Sequence, residues 1–161
     1  MAAQNADGYN ILIVHSDADD ETDERAFYER IKPGFELVKN ADEPLCKNLV
    51  AVIPIQMTEA WLLADKDTFR EELGTNKTFQ ELGLTFSLKH TEKISNPKSK
   101  IQDIMRIAFK NSPRRRVSIG SLYSPLGQKV SLKVLEKLPS YLKFKNNLLE
   151  ALIKLNFIRI G

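Results

Sequence analysis

Ile11-Leu12-Ile13-Val14-His15-Ser16-Asp17-Ala18-Asp19-Asp20 is the stretch that decides the fold class. An apolar run suited to a buried strand breaks abruptly into a polar segment with three carboxylates. In an open α/β sheet, ligands sit outside the carboxyl ends of the strands, where loops gather polar groups above a rigid floor. Asp17 and Asp19 flank one small residue, so both can turn toward one point if the backbone bends at Ala18. Two hard oxygen ligands so placed suit Mg²⁺ or Mn²⁺ better than Zn²⁺. The same residues also make good turns and caps: Asp19 or Asp20 could cap a helix that begins at Glu21.

Outward from this stretch, strand one runs from Tyr9 or Asn10 to His15. Asp20 to Ile31 reads as a helix with Ala26, Phe27 and Ile31 at helical spacing, stopped by Pro33-Gly34. A weak extended segment, Phe35 to Val38, and a polar turn lead to a second apolar run, Leu49-Val50-Ala51-Val52-Ile53-Pro54-Ile55, continuous as in a strand covered on both faces. Pro54 removes a ladder donor, so this strand ends or bulges there. Thr58 can cap the short helix that follows, which puts Glu59 in a helix's first turn just past a strand's carboxyl end. If the two strands are parallel neighbours joined by a right-handed crossover, Glu59 comes close to Asp17 and Asp19. Three converging carboxylates repel one another unless a divalent cation lies between them. Glu59 can equally serve the helix dipole, Asp65 a turn and Trp61 the core.

Farther on, Asp67 to Leu73 is a helix ended by Gly74. Leu82, Leu84, Phe86 and Leu88 alternate like a short edge strand. Asn96-Pro97-Lys98 opens a helix with Asn as cap and Pro at the first position. Lys98 and Lys100 fall in its first turns, where a bound anion would favour them. Ser112 to Arg116 is a loop containing Arg114-Arg115-Arg116. Ser131 to Leu138 is a short helix, and Ser140 to Ile158 is a packing helix capped by Ser140, with Leu142, Leu148, Leu149, Leu152, Ile153 and Leu155 on a broad apolar face.

The 161 residues suit one α/β domain, with a core over about residues 9–110 and a helical C-terminal extension over about 121–158. Hydrophobic content of 42% and charged content of 28% are those of a globular protein. No apolar run approaches the roughly 20 residues of a membrane span and no signal segment opens the chain, so a cytoplasmic protein with no membrane partner is expected. The single Cys46 forms no internal disulfide and reads as a small buried hydrophobe. Net charge is +3 but unevenly spread, acid-rich over residues 1–30 and basic from Lys89 onward. An acidic end and a basic remainder suit a nucleic-acid substrate whose phosphates need a cation bridge.

The strings H-S-D-A-D-D at 15–20, I-P-I-Q-M-T-E-A-W-L-L-A-D at 53–65, N-P-K at 96–98, G-S-L-Y-S-P-L at 120–126 and L-P-S-Y at 138–141 resemble those of a bacterial family of unassigned function. Its members look like Toprim-type proteins, relatives of the catalytic domain of topoisomerases, primases and OLD-type nucleases. The resemblance implies an open, mostly parallel sheet flanked by helices and Mg²⁺-dependent phosphodiester chemistry, with Asp17 and Asp19 matching the Asp-x-Asp of the family site. It also brings the analogy of OLD-type nucleases with phage-defence roles. Asp17, Asp19 and Glu59 would hold the metal, with Lys98, Lys100 and Arg114, Arg115 and Arg116 on neighbouring phosphates and Lys98 close to the chemistry. The departure is at the start: no strand with an E-G-x-x-E-like turn precedes Tyr9, so the first β-α unit of the family pattern is not matched here.

Two other readings stand beside it. A haloacid-dehalogenase-type phosphotransferase also uses D-x-D after its first strand, with the first Asp as nucleophile, but continues into a Gly/Thr-rich turn where this chain has Asp20-Glu21-Thr22. A non-catalytic subunit would instead bind a partner protein, or a second copy of itself, through an open sheet edge.

Overall fold

The computed structural model describes residues 2–6, 8–19, 22–110 and 118–159. Its sheet is a parallel pair, β1 (Leu12–His15) with β2 (Leu49–Val52), in the register Leu12 opposite Leu49 through His15 opposite Val52. Both strands are shorter than their apolar runs suggest. Hydrogen bonding nevertheless continues past them: Ser16 N–H donates to Val52 O (3.1 Å), Ala18 N–H to Pro54 O (3.0 Å) and Asp19 N–H to Gln56 O (3.3 Å). Pro54 is tolerated because the pairing uses its carbonyl and never needs the N–H it lacks. The two loops at the carboxyl end of the sheet are thus stitched together.

The connection between the strands corrects the expected stop at Pro33-Gly34 and the expected extended segment Phe35 to Val38. Apart from a short N-terminal helix α1 (Ala2–Asn5), the first helical element is one continuous arm of α2 (Asp23–Ala26), a π-helical turn (Phe27–Ile31) and α3 (Lys32–Asn40). Proline cannot donate within a helix, and its ring crowds the carbonyl four residues back. The helix accommodates Pro33 by widening just before it, and Lys32 N–H donates to Phe27 O, five residues away. Phe35 is buried beneath the sheet while Leu37 stays 75% exposed, a helical pattern that a short window reads as alternation. Thr22, not Asp19, caps α2, accepting from Arg25 N–H at 3.1 Å; Asp20, the other cap expected from the sequence, lies outside the described residues.

Beyond β2 the described chain is helical: α4 (Thr58–Ala64), α5 (Lys66–Leu73), α6 (Leu88–Thr91), α7 (Pro97–Ala108), α8 (Gly120–Lys129), α9 (Leu132–Leu135) and α10 (Pro139–Lys154). The expected edge strand at Leu82 to Leu88 is absent. Thr78 N–H and Oγ1–H donate to Glu81 Oε2, Leu82 N–H returns to Thr78 O, and Gly83 takes φ 70°, so the segment folds as turns. Leu82 and Leu84 are fully buried instead with Leu63, Phe69, Leu73, Ile101 and Ile104, each such side chain contributing roughly 1.5–3 kcal/mol of burial. Asn96 caps α7 as the sequence indicates, accepting from Ser99 N–H at 2.8 Å, and Gly74 ends α5 at φ 58°.

A second cluster lies under the sheet, with Ala18, Ala26, Ile31, Phe35 and Ile53. A third joins Trp61 and Ala64 to Leu135 and Leu138. Helix α10 lies against β2 and presents Tyr141 and Phe144 to Trp61, at ring separations of 5.2 and 6.4 Å. Its apolar face is narrower than expected, since Leu142 and Leu149 are exposed. Ser140 is not its cap: Leu138 holds that position and Ser140 is buried in the first turn. Among the described residues no helix is long and apolar enough to cross a membrane.

Candidate functional site

Ala18 is fully buried and its N–H is held by Pro54 O, so it anchors the loop that carries the two aspartates. The chain bends one residue later than expected. Asp19 adopts φ 46°, a left-handed conformation that Asp tolerates better than most residues, and Gln56, whose carbonyl accepts from Asp19 N–H, stands at φ 68°. Two non-glycine residues in this region face each other across the carboxyl edge, a form of strain that clusters at functional sites.

With the bend at Asp19, the two carboxylates diverge. Asp19 Oδ2 pairs with Arg30 Nη1 at 3.1 Å, and the same nitrogen donates to Asp17 O at 2.6 Å. Arg30 belongs to the π-helical turn, so the widening imposed by Pro33 presents the cation that clasps this loop. Asp17 Oδ1 lies 3.1 Å from His15 Nε2. Its direction is wrong for a hydrogen bond, and that oxygen is buried without one. His15 Nε2 also lies 3.1 Å from Thr58 Oγ1. Thr58 therefore does not cap α4; it opens the helix, and its hydroxyl meets the end of β1.

Glu59 follows at the same edge, where Tyr123 Oη–H donates to its Oε1 at 2.6 Å. Burial, then the hydrogen bond to Glu59 and its charge, push the Tyr123 hydroxyl up to about 12. Burial pushes the Asp17 carboxyl above the usual carboxylate range; Asp19 and Glu59 add to the rise, while His15 and the Thr58 backbone N–H oppose it. The three acids expected to converge are therefore electrostatic neighbours, with Asp19 held by Arg30 and Glu59 by Tyr123.

The donor chemistry suits a hard divalent cation in part. Asp17 offers a buried carboxylate oxygen with no hydrogen bond and two acidic neighbours. Asp19 and Glu59 are engaged by Arg30 and Tyr123, and among the described residues no three His, Cys, Asp or Glu side chains converge closely enough to enclose an ion.

Lys98 is exposed on α7, and Lys100 reaches back over Gly83 toward the Phe86 ring, 6.0 Å from its centroid. Neither lysine pairs with Asp17, Asp19 or Glu59. Arg114, Arg115 and Arg116 lie outside the described residues. His15, Thr58, Arg30 and Tyr123 were not expected in the site. Their separation in sequence hides them, although Tyr123 stands inside the G-S-L-Y-S-P-L string at 120–126. Comparison of the chain with protein-family models, with curated proteins and with solved structures finds no match in any of the three.

Proposed function

We propose that the carboxyl edge of the parallel pair is a divalent-metal site for phosphodiester chemistry on nucleic acid, the activity that the Toprim-like resemblance implies. The observation that carries the reading is Asp17: its Oδ1 is buried with no hydrogen bond, among acidic neighbours that work against its ionisation. Asp17, Asp19 and Glu59 would hold Mg²⁺ or Mn²⁺, which when bound would neutralise charge developing on a phosphate. Arg30 and Tyr123 engage Asp19 and Glu59 and would yield them to the ion. His15 Nε2 lies between Thr58 Oγ1 and Asp17 Oδ1, 3.1 Å from each, and ties the metal-side edge of β1 to the start of α4. Lys98, Lys100 and the Arg114 to Arg116 run would meet the phosphate backbone. Calorimetric titration with Mg²⁺ and Mn²⁺, followed by nuclease assays on single- and double-stranded DNA and RNA, tests the reading on the wild type and an Asp17→Asn, Asp19→Asn variant.

A second reading, a module that adds its sheet to that of a partner protein or a second copy, is favoured by a different observation. The described sheet has two strands, and Ile13 in β1 is 47% exposed. An oligomeric state that changes when Ile13 is replaced by Lys would support it.

A further inference from the structure

A cavity of about 300 Å³ opens between the helical arm and α10, with Ala51 and Ile53 of β2 among its lining residues. One wall is the π-helical turn, which contributes Phe27 and Tyr28; the other is α10, which contributes Phe144 and Asn147. The walls are tied at the rim by Lys143 Nζ and Asp23 Oδ2, 2.7 Å apart. Single-turn π-helical insertions recur at functional sites, and this one brings two aromatic rings to the cavity. Below, Ser140 lines the space and accepts from Trp61 Nε1–H at 2.9 Å, while Trp61 stacks on Phe144.

We propose that this cavity binds a planar aromatic heterocycle of the nucleobase class, between Phe27 and Phe144 with its polar edge toward Asn147. The volume lies at the small end of ligand pockets and suits a base with its sugar. Aromatic side chains on both walls offer π-faces to a flat ring. Asn147 is exposed on α10 and its amide makes no hydrogen bond among the described residues. It carries both a donor and an acceptor, as the edge of a base requires. The charged pair at the mouth argues against a purely aliphatic occupant, which would leave those charges facing apolar surface. The site uses none of Asp17, Asp19 or Glu59, so it stands or falls apart from the metal reading.

Trp61 is the chain's single tryptophan, and its indole N–H reports from beneath the cavity. The test is a ¹⁵N–¹H NMR titration of the full chain with adenosine, guanosine, cytidine and uridine, with EDTA present so that no metal-bridged contact contributes. The expected result is a saturable shift of the Trp61 indole and Asn147 side-chain signals by at least one nucleoside. Asn147→Phe, which fills the mouth from an exposed helical position, should weaken that binding ~tenfold or more, and Ala51→Leu, which narrows the cavity from the strand, should do likewise. Absence of saturation with all four nucleosides would overturn the proposal. So would binding unchanged in both variants, or cyclohexanol binding as well as the best nucleoside.

Discussion

His15 Nε2 and Thr58 Oγ1 lie 3.1 Å apart, joining the last residue of β1 to the first residue of α4 across 43 positions of sequence. The contact fixes the imidazole where its Nε2 also stands 3.1 Å from the buried oxygen of Asp17. The end of one strand and the start of the helix after its neighbour are thereby locked as a unit, and Asp17 is held at that junction in a setting unfavourable to its charge.

That setting makes Asp17 a cost to folding at neutral pH. Its folded carboxyl titrates above its unfolded value, so the folded state holds the proton longer, and stability falls as pH rises from about 4 through the raised folded value. Asp17→Asn should therefore raise the melting temperature by a few degrees at pH 7 to 8. The gain should fade as pH falls through the raised folded value and be gone well below about pH 4, where Asp17 is neutral in both states. Thermal melts across this pH range check it, and a variant less stable than wild type at pH 7 would show that the ionised carboxylate is a net stabiliser.

Tyr123 competes with any cation for Glu59. Tyr123→Phe removes the hydroxyl that donates to Glu59 Oε1 at 2.6 Å and leaves the ring in contact with the core around Leu122 and Leu126. Mg²⁺ should bind this variant severalfold more tightly than wild type by calorimetry. Weaker binding would mean that Tyr123 aims Glu59 at the ion.

Away from the acidic edge, Trp61, Ser140 and Glu92 form a buried chain. Trp61 Nε1–H donates to Ser140 Oγ, and Ser140 Oγ–H donates to Glu92 Oε1. Burial pushes Glu92 up, with Ser140 opposing the shift. Ser140→Ala leaves both neighbours short of a partner and should cost about 2–4 kcal/mol in urea unfolding. Because the lost donor favoured the ionised form, the penalty should be larger at pH 8 than at pH 5. A pH-independent penalty would mean that Glu92 keeps one charge state throughout this range.

Asp65, read from sequence as a turn residue, is a buried junction. It caps α5 through Thr68 N–H at 3.2 Å, accepts from Thr68 Oγ1 at 3.0 Å, and receives Ser131 N–H at 2.9 Å from before α9. Asp65→Ala should cost about 2–4 kcal/mol, more than the roughly 1 kcal/mol of an ordinary cap, because two segments lose an acceptor at once. Denaturant unfolding of the variant measures this directly, and a loss of 1 kcal/mol or less would show that the Ser131 contact contributes nothing.

Local chemistry was the legible part of this chain. Two apolar runs ending in acids, Asn96-Pro97 at a helix start and Gly74 at a helix end each act on neighbours a few residues away, and each appears in the structure where its residues indicate. Pro33 misled because a π-helical turn lets a helix pass a proline that would otherwise stop it. Leu82 and Leu84 misled because alternation does not distinguish an edge strand from a turn buried among helices. At the acidic edge, Asp17, Asp19 and Glu59 could be assigned an address from strand ends alone. Their aims depended on Arg30, His15, Thr58 and Tyr123, contacts of tertiary folding with no local signature.

The most direct measurement is calorimetric titration of the wild-type chain with Mg²⁺ and Mn²⁺ beside the Asp17→Asn, Asp19→Asn variant. The metal reading predicts saturable binding to the wild type that vanishes in the variant. No binding to the wild type, or equal binding to both, would contradict it and turn attention to the open edge of the sheet.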